Sequence, residues 1–209
     1  DIRKTLIKFD DVMNDQRQVI FSQRLKILKN KNIEEILEDF LDEVVNNLEK
    51  ERNIYQKSND KKSYLASIKS TTGNIIGDEE LISMASLNKE QFGEKIKNLY
   101  LSKKKERINI IDNEENNNLE KRIFLQIIDF SWRSHLQYLE QLRQVIGLRS
   151  YGQKDPLSEF KKEAFTLFEG LLEKIKNDVI KFLLNLNIVV SNEDEKKEKP
   201  TEVSSDNKK

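Results

Sequence analysis

The fold is decided by residues 124–184, which read FLQIIDFSWRSHLQYLEQLRQVIGLRSYGQKDPLSEFKKEAFTLFEGLLEKIKNDVIKFLL. Apolar residues recur every three or four positions on both sides of a polar segment at 148–156, which is the spacing of one helix face. They are Phe124, Ile128, Trp132, Leu136, Leu139, Leu142 and Ile146, then Leu157, Phe160, Ala164, Phe168, Leu171, Ile175, Val179 and Phe182. Two such stripes joined by a short loop bury each other when the helices lie antiparallel. The pattern predicts an all-α protein organised around a helical hairpin.

The ends of the loop carry helix stop and start signals. Gly147 can end the first helix, because glycine alone takes a positive φ without steric cost. Asp155 can cap the free amide groups of the second helix, and Pro156 fits its first position because the N–H it lacks would be unpaired there. The loop between these signals is therefore predicted to be the exposed tip of the hairpin.

Two segments of the sequence resemble the C-terminal third of SecA, the family of ATP-driven motors of bacterial preprotein export. Residues 132–136 and 142–157, which read WRSHL and LRQVIGLRSYGQKDPL, follow the family's spacing. Residues 9–20, FDDVMNDQRQVI, resemble the opening of the family's long scaffold helix. The family usually has tyrosine at the position of Phe9 and a basic residue at that of Asp15. Both departures fall on or near a helix surface.

This resemblance implies four parts of the chain. They are a first scaffold helix at 1–30, a helical wing module at 31–113, scaffold helices with a two-helix finger at 114–190 (tip 148–156), and a linker at 191–209. The linker has almost no apolar residues and is predicted to be disordered. In the family it often leads to a Cys-rich zinc-binding end; the chain has no cysteine, so no metal site is predicted.

The resemblance also implies partners and a location. SecA couples ATP hydrolysis to the passage of unfolded preproteins through the SecYEG channel, at the cytoplasmic face of the inner membrane. ATP and Mg would bind the parent protein outside this chain, which has no Gly-x-x-x-x-Gly-Lys-Ser/Thr loop. We therefore predict no cofactor here. The expected partners are SecYEG, preproteins, the nucleotide-binding and preprotein-binding domains of the same parent chain, and SecB.

Four residues at the tip are candidate contacts with the preprotein or the channel. Tyr151 aligns with the aromatic residue that contacts the translocating chain in the family. An aromatic ring can hold side chains of any sequence through apolar and cation–π contacts. Arg149, Gln153 and Lys154 flank it and are predicted to face the same partners.

Four other residues are assigned to motor coupling or scaffold packing. They are Trp132, His135 and Arg143 in the hairpin, and Arg17 in the first helix. Trp132 is expected to fill the core between the two arms. It could also contact a nucleotide-binding domain in the parent protein.

Outside the hairpin, periodicity and turn signals predict further helices. The first, over residues 5–30, has an irregular apolar stripe: Leu6, Phe9, Met13, Val19 or Ile20, Leu25 and Leu28. Spacing alone favours packing of this helix on the hairpin, whereas the resemblance implies that it runs along the nucleotide-binding and preprotein-binding domains. A regular stripe from Ile33 to Leu48 predicts a second helix, and residues 64–76 are interpreted as turns between short elements. Asp78 is predicted to cap a short helix, and Asn88 with Gln91 resembles a capping box. Residues 113–118 are interpreted as a turn or fraying helix end.

Composition restricts the classes of partner. Of the 209 residues 35% are charged, with a mean hydropathy of −0.72, and the 37 lysines and arginines balance 37 acidic residues. Nucleic acid is therefore not the expected partner, and the basic run at 103–107 is interpreted as a solvated helix face. The lack of cysteine fits a reducing cytoplasm, and no apolar run reaches the roughly 20 residues that span a bilayer. The start at Asp1 suggests a fragment of a longer protein.

Two other functions compete with the motor segment. A free-standing helical interaction module or coiled-coil tether with no motor activity would have the same apolar stripes. A hydrolase using Ser131 and His135, which lie one turn apart, is rejected because one helical turn supplies neither an oxyanion hole nor an orienting acid.

Overall fold

A computed structural model of the chain describes residues 2–149 and 155–189. Within these ranges the protein is all-α, with seven helices. They are α1 (Ile2–Lys29), α2 (Glu34–Ser58), α3 (Lys61–Thr72), α4 (Asp78–Ala85), α5 (Lys89–Ile111), α6 (Asn113–Arg149) and α7 (Pro156–Asn185). None of the helices in the described ranges combines the length and the apolar character needed to cross a membrane.

The predicted hairpin is formed by α6 and α7. The two helices are antiparallel: His135 of α6 faces Phe168 of α7, while near the far end Arg107 joins Glu120 to the carbonyl of Leu183. The predicted start of α7 is confirmed, because the Asp155 carboxylate accepts a hydrogen bond from the Ser158 N–H and proline follows it.

Two details of the predicted hairpin are wrong. The helix does not end at Gly147, because α6 continues to Arg149; glycine permits a helix end but costs only about 1 kcal/mol inside a helix. Phe182 is half exposed, and Ile180, Leu183 and Leu184 are buried in its place. The helices α3 and α5 also pack against this end of α7. The buried face of α7 therefore shifts here to include Ile180, Leu183 and Leu184.

Helix α1 lies along the hairpin, antiparallel to α6. Three polar pairs mark this alignment in order: Asp10 with Arg143, Gln16 with His135, and Arg24 with Asp129. The predicted stripe of α1 is only partly correct, because Phe9, Ile20 and Ile27 are buried whereas Val19, Leu25 and Leu28 are exposed. A pattern based on hydrophobicity misses the inner face because that face includes the polar Gln16.

Helices α2–α5 pack on the end of the hairpin that lies away from the tip. The α2 stripe is confirmed, since Ile33, Leu37, Leu41 and Leu48 are buried. Its residues share one core with Phe124, Ile128 and Trp132 of α6 and with Leu171 and Ile175 of α7. The division of the chain into scaffold and wing stays a prediction.

Local capping explains where the smaller helices begin. The capping box of Asn88 and Gln91 at the start of α5 is confirmed. Residues 64–72 are helical rather than turns, because Asp60 caps α3 by accepting from the Ser63 N–H. The cap of α4 is Gly77, so the prediction for Asp78 is wrong by one residue; Asp78 lies in the first turn, where a negative charge is favourable, and pairs with Lys69.

The segment 113–118 also differs from the prediction. It forms the first turns of α6, because the Asp112 side chain accepts from the Glu115 N–H and Asn116 is fully buried. The asparagine-rich composition therefore marks a capped and anchored helix start.

Candidate functional site

The candidate site is the tip-side half of the hairpin together with the helix that lies against it. A second core forms there from all three long helices, with Phe9 of α1, Leu139, Leu142 and Ile146 of α6, and Phe160 and Ala164 of α7. The rings of Phe9 and Phe160 meet edge to face at 4.8 Å between centroids. This half of the hairpin is thus part of a three-helix bundle.

A polar link crosses the middle of this bundle. The Gln16 side chain, which is buried, donates through Nε2 to the carbonyl of Ala164 at 3.0 Å. Its Oε1 lies 2.8 Å from Nε2 of His135. One residue of α1 is therefore hydrogen-bonded to both arms of the hairpin, and sequence analysis missed it because a lone glutamine in a polar helix carries no periodic signal.

The geometry of this link indicates that Nε2 of His135 carries a proton. A carbonyl oxygen only accepts, so the Gln16 amide must direct its NH₂ group to Ala164 and its oxygen to His135. His135 Nε2 therefore carries a proton and donates it. Burial lowers the pKa of His135 below its ordinary value of 6.5, which favours the neutral ring.

Two aromatic rings pack against the His135 side chain. Trp132 is buried, and its ring centroid lies 5.6 Å from that of His135. The ring of Phe168, on the opposite arm, lies 5.9 Å from His135. Trp132 thus packs between the arms as expected for a core residue, and its role in motor coupling stays a prediction.

The two candidate arginines lie in different surroundings. Arg143 bridges α6 to α1, with Nη1 3.3 Å from Asp10 and Nη2 2.7 Å from Glu140. Arg17 is exposed and donates to Asn14 Oδ1 at 3.2 Å within its own helix. Of this pair, the structure brings only Arg143 into contact with a second helix.

The tip candidates Tyr151, Gln153 and Lys154 lie outside the described residues, as does the predicted linker at 191–209. Arg149 is the last residue of α6. The contacts that the resemblance implies for these four tip residues with preprotein and channel stay predictions.

The geometry adds a reason against a hydrolase. Ser131 and His135 are both buried, at 5% and 7% exposure, so a substrate could not reach them without opening the bundle. The Nε2 of His135 is already engaged by Gln16.

A second buried polar network lies where α5 meets the hairpin. Arg107 donates to Asn116 Oδ1 at 3.0 Å, to the Leu183 carbonyl at 2.7 Å and to Glu120 Oε1 at 2.9 Å. This corrects the solvated-face interpretation of residues 103–107, because the Arg107 side chain is only 2% exposed. The basic run therefore lies on two faces of α5. Arg107 is on the buried face, and Lys103 pairs with Glu106 on the solvent-facing side.

An asparagine side chain at the start of α6 forms hydrogen bonds with the segment between α1 and α2. Asn117 Nδ2 donates to the Lys31 carbonyl at 2.6 Å, and its Oδ1 accepts from the Ile33 N–H at 3.3 Å. Asn117 thus anchors the segment that leads into α2, and Asn116 connects the start of α6 to α5 through Arg107. No group of three or more metal-ligating side chains is found among the described residues.

Comparison with known proteins identifies the class to which this architecture belongs. Residues 1–187 match the family described as the SecA Wing and Scaffold domain, so the chain belongs to that family. It is 48% identical over 189 residues to the protein translocase subunit SecA of Pelagibacter ubique, covering 90% of this chain and 22% of that protein.

Further relatives have the same extent of overlap. The SecA subunits of Hyphomonas neptunium and Caulobacter vibrioides are 34% and 35% identical over 191 residues, covering 90% of this chain and 21% of each relative. The chain thus spans about a fifth of the length of the curated relatives it matches.

Proposed function

We propose that this chain is the scaffold and wing segment of a SecA-type motor. In this proposal ATP hydrolysis, with Mg, takes place in nucleotide-binding domains elsewhere in the parent protein, and the chain passes their movements to a preprotein in the SecYEG channel. The parent protein would work at the cytoplasmic face of the inner membrane and could receive preproteins from SecB. The observation that carries the proposal is that α1 has two apolar sides, of which the hairpin covers one.

The uncovered side of α1 supports the presence of further domains. Phe21, Leu25 and Leu28 follow one another at helical spacing and are 56%, 49% and 51% exposed. Large apolar side chains aligned on one face are typical of an interface. In this arrangement α1 would lie between a further domain and the hairpin. A displacement of that domain would then reach the hairpin through α1.

The hairpin is suited to receive that displacement. It is packed along both arms by large apolar side chains, and protein cores of this kind are as dense as organic crystals. A push on α1 would therefore move the bundle as a body and displace the tip at residues 148–156. Tyr151 would contact the preprotein there, and Arg149, Gln153 and Lys154 the preprotein or the channel mouth.

The test places a single cysteine at the tip of the parent protein. Because this chain has no cysteine, Tyr151→Cys is its sole thiol once any others in the parent are replaced. We expect it to crosslink to a precursor stalled during ATP-driven transport into SecYEG vesicles. Phe130→Cys is the matched control, since Phe130 is 70% exposed on α6 but far along the chain from the tip.

The outcomes separate the two functions that remain. A crosslink that requires ATP and the channel at residue 151, and is weak at residue 130, supports the motor segment. Efficient transport without a crosslink at residue 151 would instead favour a scaffold or tether function for this region.

A further inference from the structure

Gln16 makes a buried polar contact between α1 and both arms of the hairpin. A side-chain amide has a donor group and an acceptor group at its two ends. In Gln16 the acceptor faces His135 of α6 at 2.8 Å and the donor faces Ala164 of α7 at 3.0 Å. The amide thus closes a hydrogen-bonded connection across all three helices.

We propose that Gln16 is a positioning residue that fixes α1 along the hairpin, so that a displacement of α1 moves α6 and α7 together at the level of His135 and Ala164. This inference rests on the proposed motor function. It assigns to one side chain the step in which movement passes from the first helix to the finger.

The kinds of contact between α1 and the hairpin favour this assignment. Apolar contacts are non-directional and allow small axial shifts, whereas a hydrogen bond weakens steeply when its angle changes. The Asp10–Arg143 and Arg24–Asp129 pairs are directional, but their carboxylates are about half exposed, so water and salt screen them. The two hydrogen bonds of Gln16 are directional and also buried.

The surroundings make the link costly to break. His135 lies between the rings of Trp132 and Phe168, and the Gln16 side chain is buried. If α1 shifted relative to the hairpin, the His135 N–H would lose its acceptor at a position where the side chain is only 7% exposed. The low-energy movement is therefore one in which α1 and the hairpin shift together.

The experiment compares three variants in the complete ATP-driven transport reaction. Gln16→Met keeps the length of the side chain but removes both hydrogen bonds. Gln16→Met with His135→Leu removes both partners of the shorter bond, which leaves no unpaired imidazole and should restore stability. Ile20→Val, one turn further along the buried face of α1, is the control that loosens packing and keeps the link.

The measured quantity is the amount of preprotein transported per ATP hydrolysed. We expect it to fall about tenfold in Gln16→Met and in the double variant, because two directional buried bonds are lost. It should stay near the wild-type value in Ile20→Val, even if the unfolding midpoint is lower. A purely structural role would make the ratio follow stability, so recovery of transport in the double variant would overturn the proposal.

A separate measurement distinguishes this inference from the proposed function. Hydrogen exchange of the complete parent protein without ATP should show α1 amides near residue 16 and α7 amides near residue 164 exchanging about tenfold faster in Gln16→Met. Ile20→Val should change them less. Equal exchange in the two variants would overturn the link, whereas absence of ATP-driven transport in the wild-type parent would overturn only the motor function.

Discussion

Two long polar side chains reach from one helix to two others at buried positions. Gln16 does so with an uncharged amide, and Arg107 does so with a guanidinium group that spreads its donors over three acceptors. A buried charge is tolerated only when it is paired and hydrogen-bonded. The Arg107 network therefore holds α5 on the hairpin as long as all its partners are present.

Removing the Arg107 charge tests this network. We expect Arg107→Met to destabilise the chain by about 3–5 kcal/mol, because Glu120 would be left as an unpaired buried carboxylate. Arg107→Met combined with Glu120→Leu should recover much of that loss. Arg24→Ala, which breaks an exposed pair, is the control and should cost less than about 1 kcal/mol. Denaturant unfolding followed by circular dichroism measures all three; equal losses for Arg107 and Arg24 would contradict the network.

The lowered pKa of His135 predicts how stability depends on pH. The unfolded chain takes up a proton near 6.5, whereas the folded chain resists protonation until the pH is lower. Stability should therefore be highest above 6.5 and fall as the pH decreases from there toward the folded-state pKa. His135 is the only histidine in the chain, so His135→Leu should remove this dependence. A wild-type stability that is flat through this range would contradict the burial of a neutral ring.

At the scale of helices, local chemistry was predictable and tertiary contacts were not. The capping box at Asn88 and the Asp155–Pro156 start of α7 depend on bonds within a few residues, so the sequence predicts them correctly. The inner face of α1 depends on a partner for Gln16 that is distant in sequence. The burial of Arg107 likewise depends on Glu120 and on α7, which no charge pattern indicates.

The turn after α3 provides a prediction about helix connection. Gly73 has φ +68 and ψ −145, a conformation open essentially to glycine, and a side chain there would collide with Asn185 of α7. Gly73→Ala should destabilise the chain by about 1–3 kcal/mol. The matched control is Gly170→Ala in α7, where a methyl group meets nothing, and it should stabilise by about 0.5–1 kcal/mol. Thermal unfolding distinguishes the two, and a stabilised Gly73→Ala would show that the turn relaxes.

At the scale of the molecule, the tip-side half of the hairpin is a bundle of three helices. Periodicity predicted two arms, and the spacing in α1 alone favoured packing of that helix on the hairpin, whereas the resemblance placed it in a scaffold. Neither gave the alignment in which α1 accompanies α6 from Asp129 to Arg143. The predicted roles of the tip residues came from the resemblance alone, because a loop tyrosine has no pattern that identifies its partner. The three-helix arrangement leaves the other side of α1 as the surface that a further domain can use.

The exposed side of α1 carries the last prediction. Replacing Phe21, Leu25 and Leu28 together with glutamine should change the stability of this chain by no more than about 0.5 kcal/mol per site, since these side chains are about half exposed and glutamine is a good helix former. In the complete parent protein the same change should lower ATP-driven transport strongly, because it removes the apolar surface that α1 offers to the proposed neighbouring domain. Phe130→Gln with Phe165→Gln, two exposed aromatic residues of the hairpin arms, is the control for loss of apolar area alone. If the triple variant transports as well as this control, the outer side of α1 is not the input surface, and movement must enter the bundle through the hairpin itself.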